Sequence, residues 1–108
     1  MNFKEIANEA NKLEDEIGLN IDDVLNKLTQ ELGEFNDAVQ KYRGRYCRSR
    51  LNKEDLEKEA GDVLINLISI LNRIGIEPQR AEELAEKTLK KFKEKKGDYI
   101  ACKDDKVS

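Results

Sequence analysis

Two acidic pairs with the same spacing are the residues of this sequence best suited to chemistry. Two residues separate Glu31 from Glu34, two separate Glu59 from Asp62, and a glycine lies inside each pair. On a helix this spacing places both carboxylates of a pair on one face. Four carboxylates that converge repel one another unless a cation binds among them or some of them are protonated. Because all the ligands are oxygen atoms, we predict a site for a hard cation, Mg²⁺ or Mn²⁺.

Both pairs lie in segments with helical periodicity. Apolar residues recur at helical spacing in four segments, at about 2–17, 20–43, 53–73 and 78–96. Asn20 and Asn52 are good N-caps for the second and third helices, and Pro78 suits the first turn of the fourth. We therefore predict a single all-α domain over residues 1–108, a four-helix bundle-like subunit with its core at about 20–96 and a tail at 97–108.

The second and third helices are predicted to form an antiparallel hairpin. Apolar residues of the second helix alternate at spacings of four and three, which predicts a buried seam that includes Leu25 and Leu32. At about 100° per residue, each acidic pair lies beside the apolar stripe of its helix. The two pairs also lie at similar heights along the hairpin, so their four carboxylates can converge. Gly33 and Gly61 would then let the helices, or a ligand, approach closely.

The composition excludes several classes of function. The chain has no histidine, which excludes Ser-His and Cys-His catalysis and argues against zinc catalysis. A di-iron carboxylate bundle is excluded for the same reason, since it needs Glu-x-x-His pairs. Its net charge of −3 argues against a general nucleic-acid binder. We expect a cytoplasmic protein, with no membrane span and with Cys47 and Cys102 reduced.

The acidic pairs also have a simpler interpretation. A Glu-x-x-Glu pair on a highly charged helix is most often part of a solvated face. Two such pairs, each with an internal glycine and at compatible heights on opposed helices, favour a site instead.

The sequence around the two pairs is similar to that of a known superfamily. The segments KLTQELGEFNDAV and LEKEAGDVLINLISILNRIGIEP resemble the two motif helices of the MazG-like all-α nucleoside triphosphate pyrophosphohydrolases, with Glu-x-x-Glu on one helix and Glu-x-x-Asp on the next. The resemblance covers about residues 20–96. It implies that an NTP or dNTP is hydrolysed to the monophosphate and pyrophosphate, with Mg²⁺ held by Glu31, Glu34, Glu59 and Asp62. It also implies a homodimer or homotetramer, because one subunit leaves a wall of the site open.

Further residues are candidates to act in that reaction. A water polarised by the metal and by Glu31 or Glu34 would attack phosphorus. Asn66 is a candidate to bind a sugar hydroxyl or a phosphate. The candidates for binding the phosphates are the cationic residues Lys27, Lys87, Lys91 and Arg43, the last with the arginines that follow it up to position 50. Many relatives have an aromatic residue near Ile65, so Tyr42, Tyr46 or an aromatic residue of a partner chain would have to contact the base instead.

Two other functions stay open at this point. One is a non-catalytic helical dimer, a regulatory or partner-binding module with a degenerate form of this fold. The arginine-rich connection at 43–50 also allows RNA binding, although the acidic net charge disfavours it.

Overall fold

The computed structural model describes residues 1–45, 52–98 and 100, and these form an all-α structure. Its helices are α1 (Phe3–Glu16), α2 (Ile21–Tyr42), α3 (Lys53–Arg73) and α4 (Pro78–Glu94). The all-α prediction is confirmed. Within the described ranges, every helix is too short or too polar to cross a lipid bilayer. Most of the predicted tail at 97–108 and most of the arginine-rich connection, including Tyr46, lie outside the described residues.

Local side-chain chemistry explains where the helices begin. The side chain of Asn20 accepts a hydrogen bond from the backbone N–H of Asp23, and the Asp23 carboxylate accepts one from the backbone N–H of Asn20, both at 2.9 Å. Asn2 and Glu5 form the same reciprocal capping box at α1. Asn52 caps α3 through the backbone N–H of Asp55, at 2.8 Å. These bonds satisfy N–H groups that have no partner within the helix.

Three helices end at a glycine with positive φ. Gly18 follows α1 with φ of 78°, Gly44 follows α2 with φ of 76°, and Gly75 follows α3 with φ of 82°. Glycine adopts this left-handed conformation without the steric cost that a Cβ would impose. Each of these helices therefore ends where the sequence supplies a glycine.

The chain divides into two compact units, Met1–Glu77 and Pro78–Ser108. In the first unit, α3 is the central helix and packs against both α1 and α2. Its buried residues are Asn66, Ser69 and Ile70. The second unit contains α4, and none of the residues of that helix is buried.

The face of α2 that packs against α3 differs from the predicted seam. Val24 and Ala38 are the buried residues of α2, whereas Leu25 and Leu32 are 41% and 49% exposed. The placement of Leu25 and Leu32 in a buried seam is therefore wrong for the subunit. Periodicity alone identifies an apolar stripe but does not say which edge of it the neighbouring helix covers.

A polar network joins α1 to α3. The buried Ser69 hydroxyl donates to the Glu14 carboxylate at 2.6 Å, and the Asn11 amide donates to Ser69 Oγ at 3.0 Å. Arg73 donates to Glu14 and Asp15, each at 3.0 Å. Because these groups satisfy one another, polar side chains can lie in the interface without a large desolvation cost. The network fixes the position of α1 along α3.

Candidate functional site

Three of the four predicted carboxylates come together between α2 and α3. Carboxylate oxygens of Glu31, Glu34 and Glu59 all lie within 4.8 Å of one another. Asp62 is one helical turn beyond Glu59 and is half-buried, and its charge acts on Glu31. The hairpin thus brings Glu31 and Glu34 to the level of Glu59, in agreement with the similar heights that the sequence predicts for the two pairs.

The members of this cluster differ in exposure. Glu34 is exposed, and its Oε1 accepts a hydrogen bond from the Gln30 amide at 3.2 Å. Glu31 and Glu59 are half-buried, and the Oε2 atom of each is fully buried. Among the described residues, neither buried oxygen has a hydrogen-bond donor. Buried carboxylate oxygens without a donor are costly, and a bound cation would remove that cost.

The electrostatics of the cluster centre on Glu31. Burial raises the pKa of the Glu31 carboxyl above its ordinary value of 4.5, and the negative charges of Glu34, Asp62 and Glu59 raise that pKa further. A hydrogen bond with Glu34 acts in the same direction. All three causes penalise the ionised form of Glu31. A divalent cation would reverse this balance, because it favours the ionised form.

The glycines of the two motifs do not have the predicted steric role within the subunit. A Cβ atom added to Gly33 or to Gly61 would meet no atom within 4 Å. The prediction that these glycines permit close helix approach is therefore wrong for the α2–α3 contact. Both lie in open space on the outer side of their helices.

The remaining predicted residues lie at different places. Asn66 is buried, and its amide donates to the Asp62 backbone carbonyl at 2.8 Å. Lys27 is exposed and borders a cavity with Asn66. Arg43 is exposed at the C-cap of α2. Lys87 and Lys91 are exposed on α4, in the second unit, and their roles stay predictions.

The sequence did not single out the contribution of α1. Asn11 and Glu14 of α1 contact α3 at Ser69 and Arg73, which are one and two turns beyond Asn66. The signal for this pairing was the presence of Asn66 and Ser69 inside the otherwise apolar stripe of α3. Polar residues in a buried stripe need partners, but the sequence does not identify the partner helix.

The structure defines an all-α protein in which carboxylates of two facing helices lie at one level. Comparison with known families identifies the particular family. The model of the MazG nucleotide pyrophosphohydrolase domain matches residues 20–99, and the chain belongs to this family. The match begins at the N-cap of α2, so α1 lies outside it. Comparisons with curated proteins and with solved structures give no match to this chain.

Proposed function

We propose that this protein is a Mg²⁺-dependent nucleotide pyrophosphohydrolase that converts an NTP or dNTP to the monophosphate and pyrophosphate. The carboxylate cluster is the observation that carries the proposal. Glu31, Glu34 and Glu59 gather oxygens within 4.8 Å of one another, and two of these residues keep a buried oxygen without a donor among the described residues. The family match agrees with this chemistry.

The residues of the cluster fit a hard divalent cation. Its donor set consists of carboxylate oxygens, which Mg²⁺ prefers and Mn²⁺ accepts. Glu31, Glu34, Glu59 and Asp62 would hold the metal. When bound, the metal would supply Lewis-acid stabilisation of the charge on the phosphate oxygens.

The chain's own residues would perform the remaining steps. Glu34 is exposed, so it is placed to orient a water and accept its proton, and Glu31 is the alternative base. Asn66 and Lys27 would position the substrate one turn away from the carboxylates. Arg43, Lys87 and Lys91 are proposed to neutralise phosphate charge.

Product analysis tests the proposal directly. Purified protein is incubated with each NTP and dNTP and Mg²⁺, and monophosphate and pyrophosphate are measured. We expect both products in equal amounts from at least one nucleotide. Turnover of none of them would reject the enzyme and favour a non-catalytic helical module.

Thermal melting tests the metal site independently of turnover. Millimolar Mg²⁺ should raise the melting midpoint of the wild-type protein, since a ligand that binds only the folded state stabilises it by about 1.4 kcal/mol at ten times its Kd. Glu34→Gln should abolish the rise, whereas Glu57→Gln, at an exposed glutamate of the same helix pair, should keep it. A wild-type midpoint that is indifferent to Mg²⁺ would argue against the site.

A further inference from the structure

Glu34 is contacted by a side chain that lies outside the carboxylate cluster. The Gln30 amide nitrogen donates a hydrogen bond to Glu34 Oε1 at 3.2 Å. Gln30 lies four residues before Glu34 on α2, and both residues are exposed. Side chains at this separation are neighbours on the surface of a helix. The contact is therefore made by α2 alone and does not depend on how α2 packs against α3.

The three carboxylates of the cluster are held in different ways. Glu31 and Glu59 are half-buried, and the Oε2 atom of each is fully buried. Packing restricts these two side chains, whereas an exposed glutamate keeps most of its rotamer freedom. The hydrogen bond from Gln30 restricts Glu34, the member of the cluster that burial does not hold. Because a group that is already ordered loses less conformational entropy on binding, this bond favours the binding of a cation by Glu34.

The hydrogen bond also distinguishes the two oxygens of Glu34. It engages Oε1 and not Oε2. Mg²⁺ requires nearly ideal octahedral geometry, whereas Ca²⁺ accepts about six to eight oxygen ligands in flexible geometry and can bind both oxygens of one carboxylate. A donor on Oε1 competes with a cation for that oxygen. Glu34 is therefore arranged to bind a cation through one oxygen, which suits Mg²⁺ better than Ca²⁺.

We propose that Gln30 is a positioning residue that holds Glu34 for binding through one oxygen and thereby makes the cluster prefer Mg²⁺ to Ca²⁺. The inference rests on the proposed function, since it takes Glu31, Glu34 and Glu59 as metal ligands. Gln30 acts through Glu34 and is not itself a metal ligand. Residues that hydrogen-bond to metal ligands commonly change metal affinity by about tenfold or more. A smaller change, of about threefold, is expected for Gln30, because water competes for an exposed hydrogen bond.

A role of Gln30 in helix stability alone would have different consequences. Asp37 and Lys41 form an exposed ion pair at 2.9 Å on the same helix and with the same spacing, and Asp37 lies outside the cluster. Loss of a contact that only supports the helix changes stability and not the preference between two cations. Lys41→Met is therefore the matched control for Gln30→Met, since each variant replaces the partner of an acidic residue of α2 by a good helix former.

Isothermal titration calorimetry without nucleotide tests the proposal independently of turnover. Mg²⁺ and Ca²⁺ are titrated separately into the wild type and both variants. In Gln30→Met we expect the Kd for Mg²⁺ to rise about threefold and the Kd for Ca²⁺ to fall about threefold, so the ratio of the two shifts about tenfold towards Ca²⁺. Lys41→Met removes a positive charge, which affects two divalent cations alike, so its ratio should match the wild type within about twofold.

The metal requirement of turnover provides a second test. The Mg²⁺ concentration for half-maximal pyrophosphate release should be about threefold higher in Gln30→Met than in the wild type. Added Ca²⁺ should inhibit this variant at a concentration about threefold lower than it inhibits the wild type. Unchanged values for both cations would overturn the proposal.

The outcomes of the titrations separate this proposal from the proposed function. An unchanged ratio in Gln30→Met, or an equal shift in Lys41→Met, would overturn the role of Gln30. A Gln30→Met protein that melts far below the wild type without metal would also overturn it, because an exposed contact within one helix contributes little to stability. A wild type that binds neither cation would reject the metal site and this proposal together. The expected shift in the ratio without turnover of any nucleotide would support the role of Gln30 and reject only the proposed reaction.

Discussion

Glu31 is the residue at which the burial and the charge of the site meet. It packs into the α2–α3 contact, yet three other carboxylates act on it and its Oε2 atom has no donor among the described residues. A residue that served only to stabilise the hairpin would not be expected to carry this combination. The unfavourable burial and charge repulsion of the Glu31 carboxylate are explained if this carboxylate binds a cation.

The raised pKa of Glu31 predicts how the stability of the metal-free protein depends on pH. The folded state favours the protonated form of Glu31. The stability that protonated Glu31 contributes is therefore fully present below about pH 4.5, and it is lost as the pH rises through the pKa that Glu31 has in the folded protein. Glu31→Gln removes the ionisation. Without metal, the variant should therefore have a higher melting midpoint than the wild type at pH 7, and the difference should vanish near about pH 4.

Thermal melts in a chelator-containing buffer across this pH range measure the effect. Glu57→Gln is the control, because Glu57 is an exposed residue of α3 outside the cluster. It should follow the wild-type curve. A Glu31→Gln midpoint at or below that of the wild type at pH 7 would contradict the assigned electrostatics.

At this scale the sequence predicted a convergence of four carboxylates, of which three come within 4.8 Å of one another, but it did not predict their individual environments. The spacing of each pair and the rise of a helix were enough to place Glu31 and Glu34 opposite Glu59. The division into an exposed Glu34 and half-buried Glu31 and Glu59 depends on the exact rotation of α2 against α3. A rotation of one residue position, about 100°, exchanges inner and outer side chains, and no local signal fixes it.

The helix bounds could be predicted from the sequence because capping is local. Asn20, Asn52 and Gly75 act through residues within one turn, and the observed α3 runs over the predicted residues 53–73. The contact between α1 and α3 joins residues far apart in the chain, such as Asn11 and Ser69. Such a pairing is decided by the competition among all apolar faces of the molecule, so the local pattern could not identify it.

The polar network between α1 and α3 predicts that replacing Arg73 strongly lowers the free energy of unfolding. Arg73 is 19% exposed and binds Glu14, whose side chain is 12% exposed. Arg73→Ala leaves that carboxylate without its cation and should lower the free energy of unfolding by about 2–3 kcal/mol. Arg80→Ala removes an arginine that is 58% exposed and pairs with Glu83, and it should cost less than about 0.5 kcal/mol. Urea denaturation of both variants measures the difference, and equal costs would contradict a structural role for the network.

The motif glycines predict a gain in stability on substitution. Gly33 and Gly61 have helical backbones, and an added Cβ meets nothing within 4 Å. Each change to alanine should therefore stabilise the subunit by about 0.5–1 kcal/mol. Gly75→Ala is the contrasting variant, because φ of 82° is strained for alanine, and it should destabilise the fold.

Denaturation of the three glycine variants measures whether each substitution raises or lowers the free energy of unfolding. Loss of stability in Gly33→Ala or Gly61→Ala would show that a second chain occupies the space beside the helix. That result would restore the original interpretation of these glycines as points of close approach.

At the scale of the whole molecule, the hairpin has one face covered by α1 and one face with exposed leucines. Leu67 lies about 160° around α3 from Ser69, where α1 contacts the helix. The exposed leucines of this second face are Leu25 and Leu32 of α2 and Leu64 and Leu67 of α3, with exposures of 41%, 49%, 47% and 39%. An exposed apolar face of this kind is typical of an interaction surface. We propose that a second copy of the chain covers it, as the seam predicted on α2 would require.

This proposal predicts that charge on the leucine face separates the subunits. Leu32→Glu combined with Leu67→Glu should convert a dimer or tetramer to a monomer, because each carboxylate would lose its hydration on burial in the interface. Phe3→Glu, at a residue of α1 that is 48% exposed, is the matched control and should keep the native mass. Light scattering after gel filtration measures the masses, and melting shows whether the variants remain folded. A wild-type protein that is monomeric at all concentrations, or a double variant that keeps the native mass, would contradict the proposal.

If the double variant is a folded monomer that also loses pyrophosphate release, the partner subunit completes the catalytic site. If it keeps activity, each subunit holds its own complete site and the assembly serves stability alone.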